Sequence, residues 1–377
     1  MKQRRWSALF LALFAAFALV LASCASSDSD GSDSGGGDSG GGESAATCQG
    51  QTGEEPAASD LGSEDDPDGA GVEVGLVFDI GGKDDKSFNE AAYNGLVAAE
   101  ENMGVTGTEL EPNDDGSNRE ALLRQLADDG AGLVIGVGFN FAEVMPVVAQ
   151  DYPDTSFAII DSVVEEPNVA SLVFAEEQGS FLVGAAAALK SQTGHIGFIG
   201  GQEIDLIKKF EAGYTAGAKY VNPDIIVDVQ YLGPAGDDTA WGSPDEAKQI
   251  ANGWYADGAD VIYTAAGGSG QGTIEAAVES DAWAIGVDSD QYLTATPEQQ
   301  AHILTSMLKR VDVAVFETIK AAQAGTLEGG FALYDLARDG VGYSTSGGYL
   351  DDVKAQLDDI KAKIIAGEIV VPTAPEG

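Results

Sequence analysis

Several groups of residues have types and spacings that suit chemistry. Asp79-Ile-Gly-Gly-Lys-Asp-Asp-Lys-Ser-Phe-Asn89 lies between a predicted strand and a predicted helix. Gly81 and Gly82 suit a tight turn with close backbone approach to a ligand. Ser87 suits a helix cap, and Phe88 falls in the first helical turn. An ordinary loop with a cap and a core phenylalanine fits the same residues. Gly267-Gly-Ser-Gly-Gln-Gly272 also precedes a helix. It lacks the Gly-Lys-Ser/Thr of a Walker A loop and is not a dinucleotide fingerprint at the first strand. It offers either a helix N-terminus for a polar ligand group or a tight strand-to-helix turn. Phe210, beside Lys208 and Lys209, is a stacking platform or a core side chain. Asp288-Ser-Asp-Gln291 follows a strand. A buried carboxylate there needs hydrogen-bond donors, and vicinal hydroxyls would serve. A helix cap or a cation site is the other reading.

Sets for covalent or metal catalysis are missing. The sequence holds 2 His and 2 Cys and no H-E-x-x-H. A His-rich metal centre and Cys-His chemistry are therefore excluded. Paired acids occur everywhere in so acidic a chain, so they do not single out a glycosidase. No cofactor and no metal is expected, and the chain does not read as an enzyme.

These groups need strands and helices to hold them. Val72 to Phe78 reads as a strand, Phe88 to Met103 as a helix, and Leu122 to Ala127 as part of another. Gly132 to Gly136 and Ser156 to Ile160 are strands around a helix at Phe141 to Gln150. Ala170 to Phe174 is a strand before the helix Glu177 to Lys190. The pattern restarts at His195 and runs through helices at Ile204 to Tyr220, Pro244 to Asp257 and Gly270 to Glu279. Its strands are His195 to Ile199, Ile225 to Tyr231, Asp260 to Tyr263 and Trp283 to Val287. The remainder reads as one helix from His302 to Ala324, short strands near Phe331 and Val341, a helix from Gly348 to Ala366 and a last strand at Glu368 to Val371. Alternating strands and helices imply parallel sheets covered on both faces. Ligands of such sheets sit beyond the carboxyl ends of the strands. The polar residues at those ends are Asp79, Asn140, Asp161, Thr264 and Asp288, which two facing lobes would bring toward one cleft.

Of 377 residues, 62 are acidic and 19 are Lys or Arg, for a formal charge of -43. Nucleic acid needs Lys and Arg clusters, and an anionic membrane surface likewise attracts basic segments. Neither is an electrostatic partner for this chain. Yet 44% of residues are hydrophobic, enough for a normal core. Residues 25–70 hold 12 of the 62 acids, so most of the charge belongs to the domain. An acidic shell around an ordinary core suits high salt, where screening relieves self-repulsion.

The N-terminus carries processing signals. Lys2, Arg4 and Arg5 precede an apolar run from Trp6 to Val20, which ends at Leu21-Ala22-Ser23-Cys24. This is a charged n-region, an apolar h-region and a small-residue cleavage site. It resembles a bacterial lipoprotein signal, with residues 1–23 removed and Cys24 lipidated. An uncleaved signal anchor is the rival reading. Residues 24–71 are rich in Ser, Gly and Asp and read as a disordered acidic tether. Cys48 lies within it and has no intrachain disulfide partner if Cys24 is lipidated.

Several segments together resemble the basic membrane protein family of ABC-importer substrate-binding lipoproteins, relatives of the purine nucleoside receptor. They are Val77 to Glu90, Phe174 to Ala187, Lys208 to Tyr214, Asp260 to Gly272 and Ile285 to Gln291, in the family's order. The resemblance implies a type I periplasmic binding protein with two doubly wound α/β lobes joined by a hinge around the ligand cleft. Expected lobes are 72–175 with 289–323, and 176–288 with 324–372. Phe88 and Phe210 would clasp a purine from opposite lobes. Asn89, Asp161 and Asp79 would offer polar contacts to the base or its surroundings. Asp288 would accept the ribose hydroxyls, Gly268 would approach the sugar by its backbone, and Lys309 would be the ribose-side lysine. Expected partners are a purine nucleoside, ABC permease subunits and the membrane through the N-terminal lipid, with the chain a monomer on the extracytoplasmic face. A membrane-anchored small-molecule sensor and a nucleoside-processing enzyme are the alternatives. The sequence departs from the family's commoner pattern at Thr264, at Asn140 and along Glu111 to Asn118.

Overall fold

The computed structural model describes residues 61–63 and 66–375. The signal segment, Cys24, Cys48 and most of the expected tether lie outside the described residues. In chain order the first elements are β1 (Glu73–Val77), α1 (Phe88–Met103), β2 (Thr106–Leu110), α2 (Arg119–Asp128), β3 (Leu133–Gly136), α3 (Met145–Asp151), β4 (Ser156–Ile160) and β5 (Val169–Phe174). Next come α4 (Glu176–Lys190), β6 (His195–Glu203), α5 (Asp205–Val221), β7 (Ile226–Pro234), α6 (Pro244–Ala256), β8 (Val261–Ala265), α7 (Gly270–Ser280) and β9 (Trp283–Asp288). The last are α8 (Gln291–Thr294), α9 (Pro297–Gln300), β10 (Ile303–Lys309), α10 (Val311–Gln323), β11 (Gly330–Tyr334), β12 (Val341–Tyr343) and α11 (Lys354–Ile365).

The strands form two sheets, ordered β11-β5-β4-β3-β1-β2 and β12-β10-β9-β8-β6-β7. Pairing is parallel except where β12 runs against β10. Central strands such as Leu133-Val-Ile-Gly136 are buried on both faces. Such strands read as unbroken apolar runs and demand helices on either side. The strand order reverses between β1 and β3 and again between β6 and β8. Each reversal opens a crevice at the carboxyl ends, the usual ligand position in such sheets.

Strand pairing redraws the expected lobes. β10 sits in the second sheet, although residues 289–323 were expected in the first lobe. β11 joins the first sheet, although 324–372 were expected in the second lobe. The chain therefore crosses between sheets at Ala175, at Arg310 and along 335–340. The crossings are stitched together: Ala175 N donates to Tyr334 O at 3.0 Å, and Arg310 N to Gly340 O at 2.9 Å. Residues 302–324 also split into β10 and α10 instead of one helix. A short apolar run is ambiguous between strand and helix, and here β9 and β12 provide pairing on both sides. β2 escaped the sequence reading because most of its residues are solvent-facing at a sheet edge. No strand forms at 368–371, where Val370 is 85% exposed. α11 begins at Lys354 and not at Gly348: Gly347 and Gly348 adopt positive φ of 77° and 69°, and residues 349–353 form turns before the helix.

The expected tether ends earlier than residue 71. Leu61 packs on the hydrophobic core, and Asn102 Nδ2 donates to Leu61 O at 2.9 Å. Gly69 N donates to Met103 O at 2.5 Å, and Asp66 pairs with Lys320 on α10. Leucine at position 61 supplies apolar area that a purely Ser/Gly/Asp segment lacks.

In the second lobe α4 and α5 approach to backbone contact through glycines. A Cβ on Gly184 would lie 2.0 Å from Tyr214 O, and one on Gly217 would lie 2.0 Å from Phe181 O. Gly213 is equally tight, with Glu177 O 2.1 Å from the position of a Cβ. Overpacking such a contact costs about 1–3 kcal/mol or more. Gly217→Val is expected to destabilise the protein by at least about 2 kcal/mol in urea unfolding. An unchanged midpoint would contradict the close crossing.

Candidate functional site

The carboxyl ends of both sheets open on one cavity, lined mainly by apolar side chains with a few convergent polar groups. That lining is typical of a small-molecule site. All eight candidate residues line it: Asp79, Phe88, Asn89, Asp161, Phe210, Gly268, Asp288 and Lys309. Phe88 and Asn89 open α1, and Phe210 lies in the second turn of α5, so the aromatic rings come from different lobes. Gly268 sits in the turn before α7, where a Cβ would stand 3.4 Å from Trp241 O.

Asp161 follows β4 and Asp288 ends β9. Both have left-handed backbones, with φ of 67° and 64°. Aspartate tolerates that region better than most residues, and the kink turns each carboxylate into the cavity. Lys309 ends β10 and is 2% exposed. Its Nζ lies 2.5 Å from Asp161 Oδ2 and 3.3 Å from Glu176 Oε1. The same ammonium stands 5.0 Å from the Phe88 ring centroid, 5.0 Å from Phe174 and 5.7 Å from Phe210. Lys209 secures the other oxygen of Glu176 at 3.0 Å.

Burial pushes the Asp161 carboxyl up to about 6 against the pull of Lys309, and the neighbouring Glu176 adds to the rise. Burial likewise raises Asp288 to about 6, opposed by Lys309 and by the Ser87 hydroxyl. Burial alone would lower Lys309, but Asp161, Glu176 and Asp288 together hold it above the ordinary lysine range. Asp161 Oδ1 is buried without a hydrogen-bond partner. Ser87 occupies Asp288 Oδ2 at 2.6 Å. A buried carboxylate oxygen lacking a donor is costly, so this floor is suited to a ligand that brings hydroxyl or amide donors.

Some residues take roles that sequence reasoning did not assign. Ser87 does not cap α1. Asp85 does, accepting from Ser87 N at 2.9 Å, Asn89 N at 2.9 Å and Glu90 N at 3.1 Å. This frees the Ser87 hydroxyl to reach Asp288 of the other lobe. Asn89 accepts from Asp79 N at 3.0 Å and donates to Asp85 at 3.1 Å, so much of its amide capacity holds the loop. Gly81 and Gly82 do not line the cavity; a Cβ on Gly82 would press on the Glu111 carboxylate at 3.0 Å. Thr264 also turns away, bonding Thr273 of α7 at 2.7 Å. Asn140 donates to Asp79 Oδ2 at 3.2 Å, and Arg119 reaches Asp79 Oδ1 at 2.6 Å. Phe139, Trp241, Leu206 and Ile207 complete the apolar walls and were not singled out from sequence. Phe139 and Trp241 meet edge to face across the lobes, 6.4 Å between centroids. Such aromatic positions carry no local sequence signal, since they sit in loops far apart in the chain.

Similarity to known proteins agrees with this architecture. The family model described as ABC transporter substrate-binding protein PnrA-like matches residues 72–374. The chain is 34% identical to the CD4+ T-cell-stimulating antigen of Listeria innocua over 99% of this chain and 100% of that one. It is 34% identical to the ABC transporter nucleoside-binding protein BmpA of Lactococcus lactis over 80% of this chain and 89% of that one. Its fold matches an ABC transporter solute-binding protein of Aeropyrum pernix with a TM-score of 0.69 and 29% identity, over 80% of this chain and 94% of that one. Two α/β lobes around a polar-floored cavity, joined by stitched crossings, are the type I solute-binding architecture. The chain belongs to the PnrA-like, or basic membrane protein, family: it is a non-catalytic, lipid-anchored substrate-binding protein of an ABC importer on the extracytoplasmic face.

Proposed function

We propose that the ligand delivered to the permease subunits is a purine nucleoside. The observation that carries this reading is the pairing of Phe88 and Phe210, from opposite lobes, above a floor of Asp161, Asp288 and Lys309. Stacking on aromatic rings contributes roughly 1–3 kcal/mol per base. Carboxylates below the rings suit the hydroxyls of a ribose, with Asp288 Oδ1 and Asp161 Oδ1 as acceptors. A phosphate is disfavoured: Asp161, Glu176 and Asp288 outnumber Lys309, and no arginine is among the described residues lining the cavity. Gly268 leaves room for close approach of the sugar. Asn89 and Asp79 border the base end. The nucleoside-binding name of the Lactococcus lactis relative supports the same ligand class. The acidic surface further supports work at high ionic strength, where screening offsets repulsion between the lobes.

Calorimetry of the mature protein against adenosine, guanosine and inosine tests the ligand class; no heat and no rise in melting temperature with any of them overturns it. Asp288→Ala is expected to weaken ribonucleoside binding by at least about tenfold, or about 1.4 kcal/mol. An unchanged dissociation constant would remove the ribose role.

Binding should also depend on pH. Burial raises the Asp161 and Asp288 carboxyls to about 6. Hydroxyl donors favour the ionised carboxylates, so affinity is full above that value and falls as pH drops through it. For each such group Kd should rise on the order of tenfold between pH 7.5 and 5. Asp288→Asn should flatten part of that profile. The stability of the free protein moves the other way: raised carboxyl values favour the folded state at low pH, and that contribution is lost as pH rises from about 4 to about 6. A Kd constant across the range argues against carboxylate recognition.

A further inference from the structure

We propose that Asp238 is a positioning residue of the binding site, which clasps the closed lobes and so seats Trp241 over the cavity. Asp238 opens a short helical turn, Asp238–Trp241, between β7 and α6. The second lobe prearranges this turn before any contact with the first. Gln202, 1% exposed at the end of β6, donates to Asp238 Oδ1 at 2.8 Å and accepts from Gly236 N at 2.8 Å. Asp237 caps the turn, taking the Thr239 hydroxyl at 2.6 Å. Trp241 is fixed to the same lobe, because its ring lies where a Cβ on Gly201 would be, 2.2 Å away.

The first lobe prearranges the other half. Asp79 holds Arg119 at 2.6 Å and Asn140 at 3.2 Å. The same two nitrogens also reach across the cleft: Arg119 Nη2 to Asp238 Oδ2 and Asn140 Nδ2 to Asp238 Oδ1, each at 3.3 Å. Asp79 and Asp238 would repel each other without the shared guanidinium between them. The clasp joins groups on opposite lobes, so it exists only when they close. Its geometry places Trp241 against Phe139, the neighbour of Asn140, and both rings line the cavity. Arg119 and Asp238 side chains are 12% and 25% exposed. Partial desolvation strengthens the contact relative to a surface pair while leaving it free to open.

Opening a clasp that forms after encounter changes dissociation more than association. The test has a part that needs no ligand. Spin labels at Asp129→Cys and Asp257→Cys, in the full chain with serine at Cys24 and Cys48, report the distance between the outer ends of α2 and α6. Asp238→Ala should shift the distribution in the nucleoside-free protein toward open forms, with the open fraction rising about threefold. Asp238→Asn, which still accepts hydrogen bonds, should give an intermediate shift. With inosine in stopped-flow fluorescence, Asp238→Ala should speed dissociation about tenfold and leave association within about twofold. Distance distributions identical in the parent and Asp238→Ala overturn the proposal. A slowed association with unchanged dissociation does so as well. If inosine fails to bind the parent protein, adenosine or guanosine replaces it; if none of the three binds, the nucleoside reading falls, and the distance measurement still decides the clasp.

Discussion

One buried ammonium organises this protein. Lys309 ends a strand of the second sheet, while its partner Asp161 follows a strand of the first and its other partner, Glu176, opens the helix just past a crossing. Removing one member of such a buried set leaves an uncompensated charge, at a cost of about 3–5 kcal/mol. The charges therefore belong together, and they force the ends of β4 and β10 and the start of α4 into one place. Around them pack Phe88, Phe174 and Phe210, whose ring faces meet the same cation. The cavity floor thus includes an ion pair between the two sheets, beside two of the crossings. Ligand recognition and lobe geometry share one electrostatic centre.

Much of the candidate site was legible because strand-end logic is local. Asp79, Asp161 and Asp288 each close an apolar run, and parallel sheets send such residues to a common edge. Phe88, Asn89, Phe210, Gly268 and Lys309 came from motif resemblance and line the same cavity. What could not be read was competition between neighbours. Ser87 looked like a cap, but Asp85 offers two oxygens to three backbone donors and wins. Partners brought together by folding were also hidden: Arg119 and Asp238 are 119 residues apart in sequence and meet only across the cleft. The run at Ile303 to Lys309 was read as helix because buried strands and buried helices share composition, and the difference lies in β9 and β12 beside it. The lobe boundaries failed for the same reason, since strand pairing is a property of the folded sheets.

The two sheets are variations on one plan. β1 to β5 with β11 and β6 to β10 with β12 follow the same strand order. Asp161 and Asp288 occupy matching strand ends with nearly the same left-handed φ. At the next strand end the plan diverges: β5 closes on Phe174 and β10 on Lys309, and these two face each other at 5.0 Å. A repeated framework supplies two acids at matching positions, and the aromatic-for-lysine difference, with Ser87 bonded to Asp288 alone, makes the floor asymmetric. An asymmetric ligand can be received in one orientation by nearly symmetric walls.

The docked segment before β1 has a mechanical meaning. Leu61, Asp66 and Gly69 hold on to α1 and α10, which pack against each other in the first lobe. The segment that enters the domain is thus part of the first lobe, and among the described residues it makes no hydrogen bond to the second sheet. The lobe nearest the N-terminal segment in sequence is also the one its last residues brace.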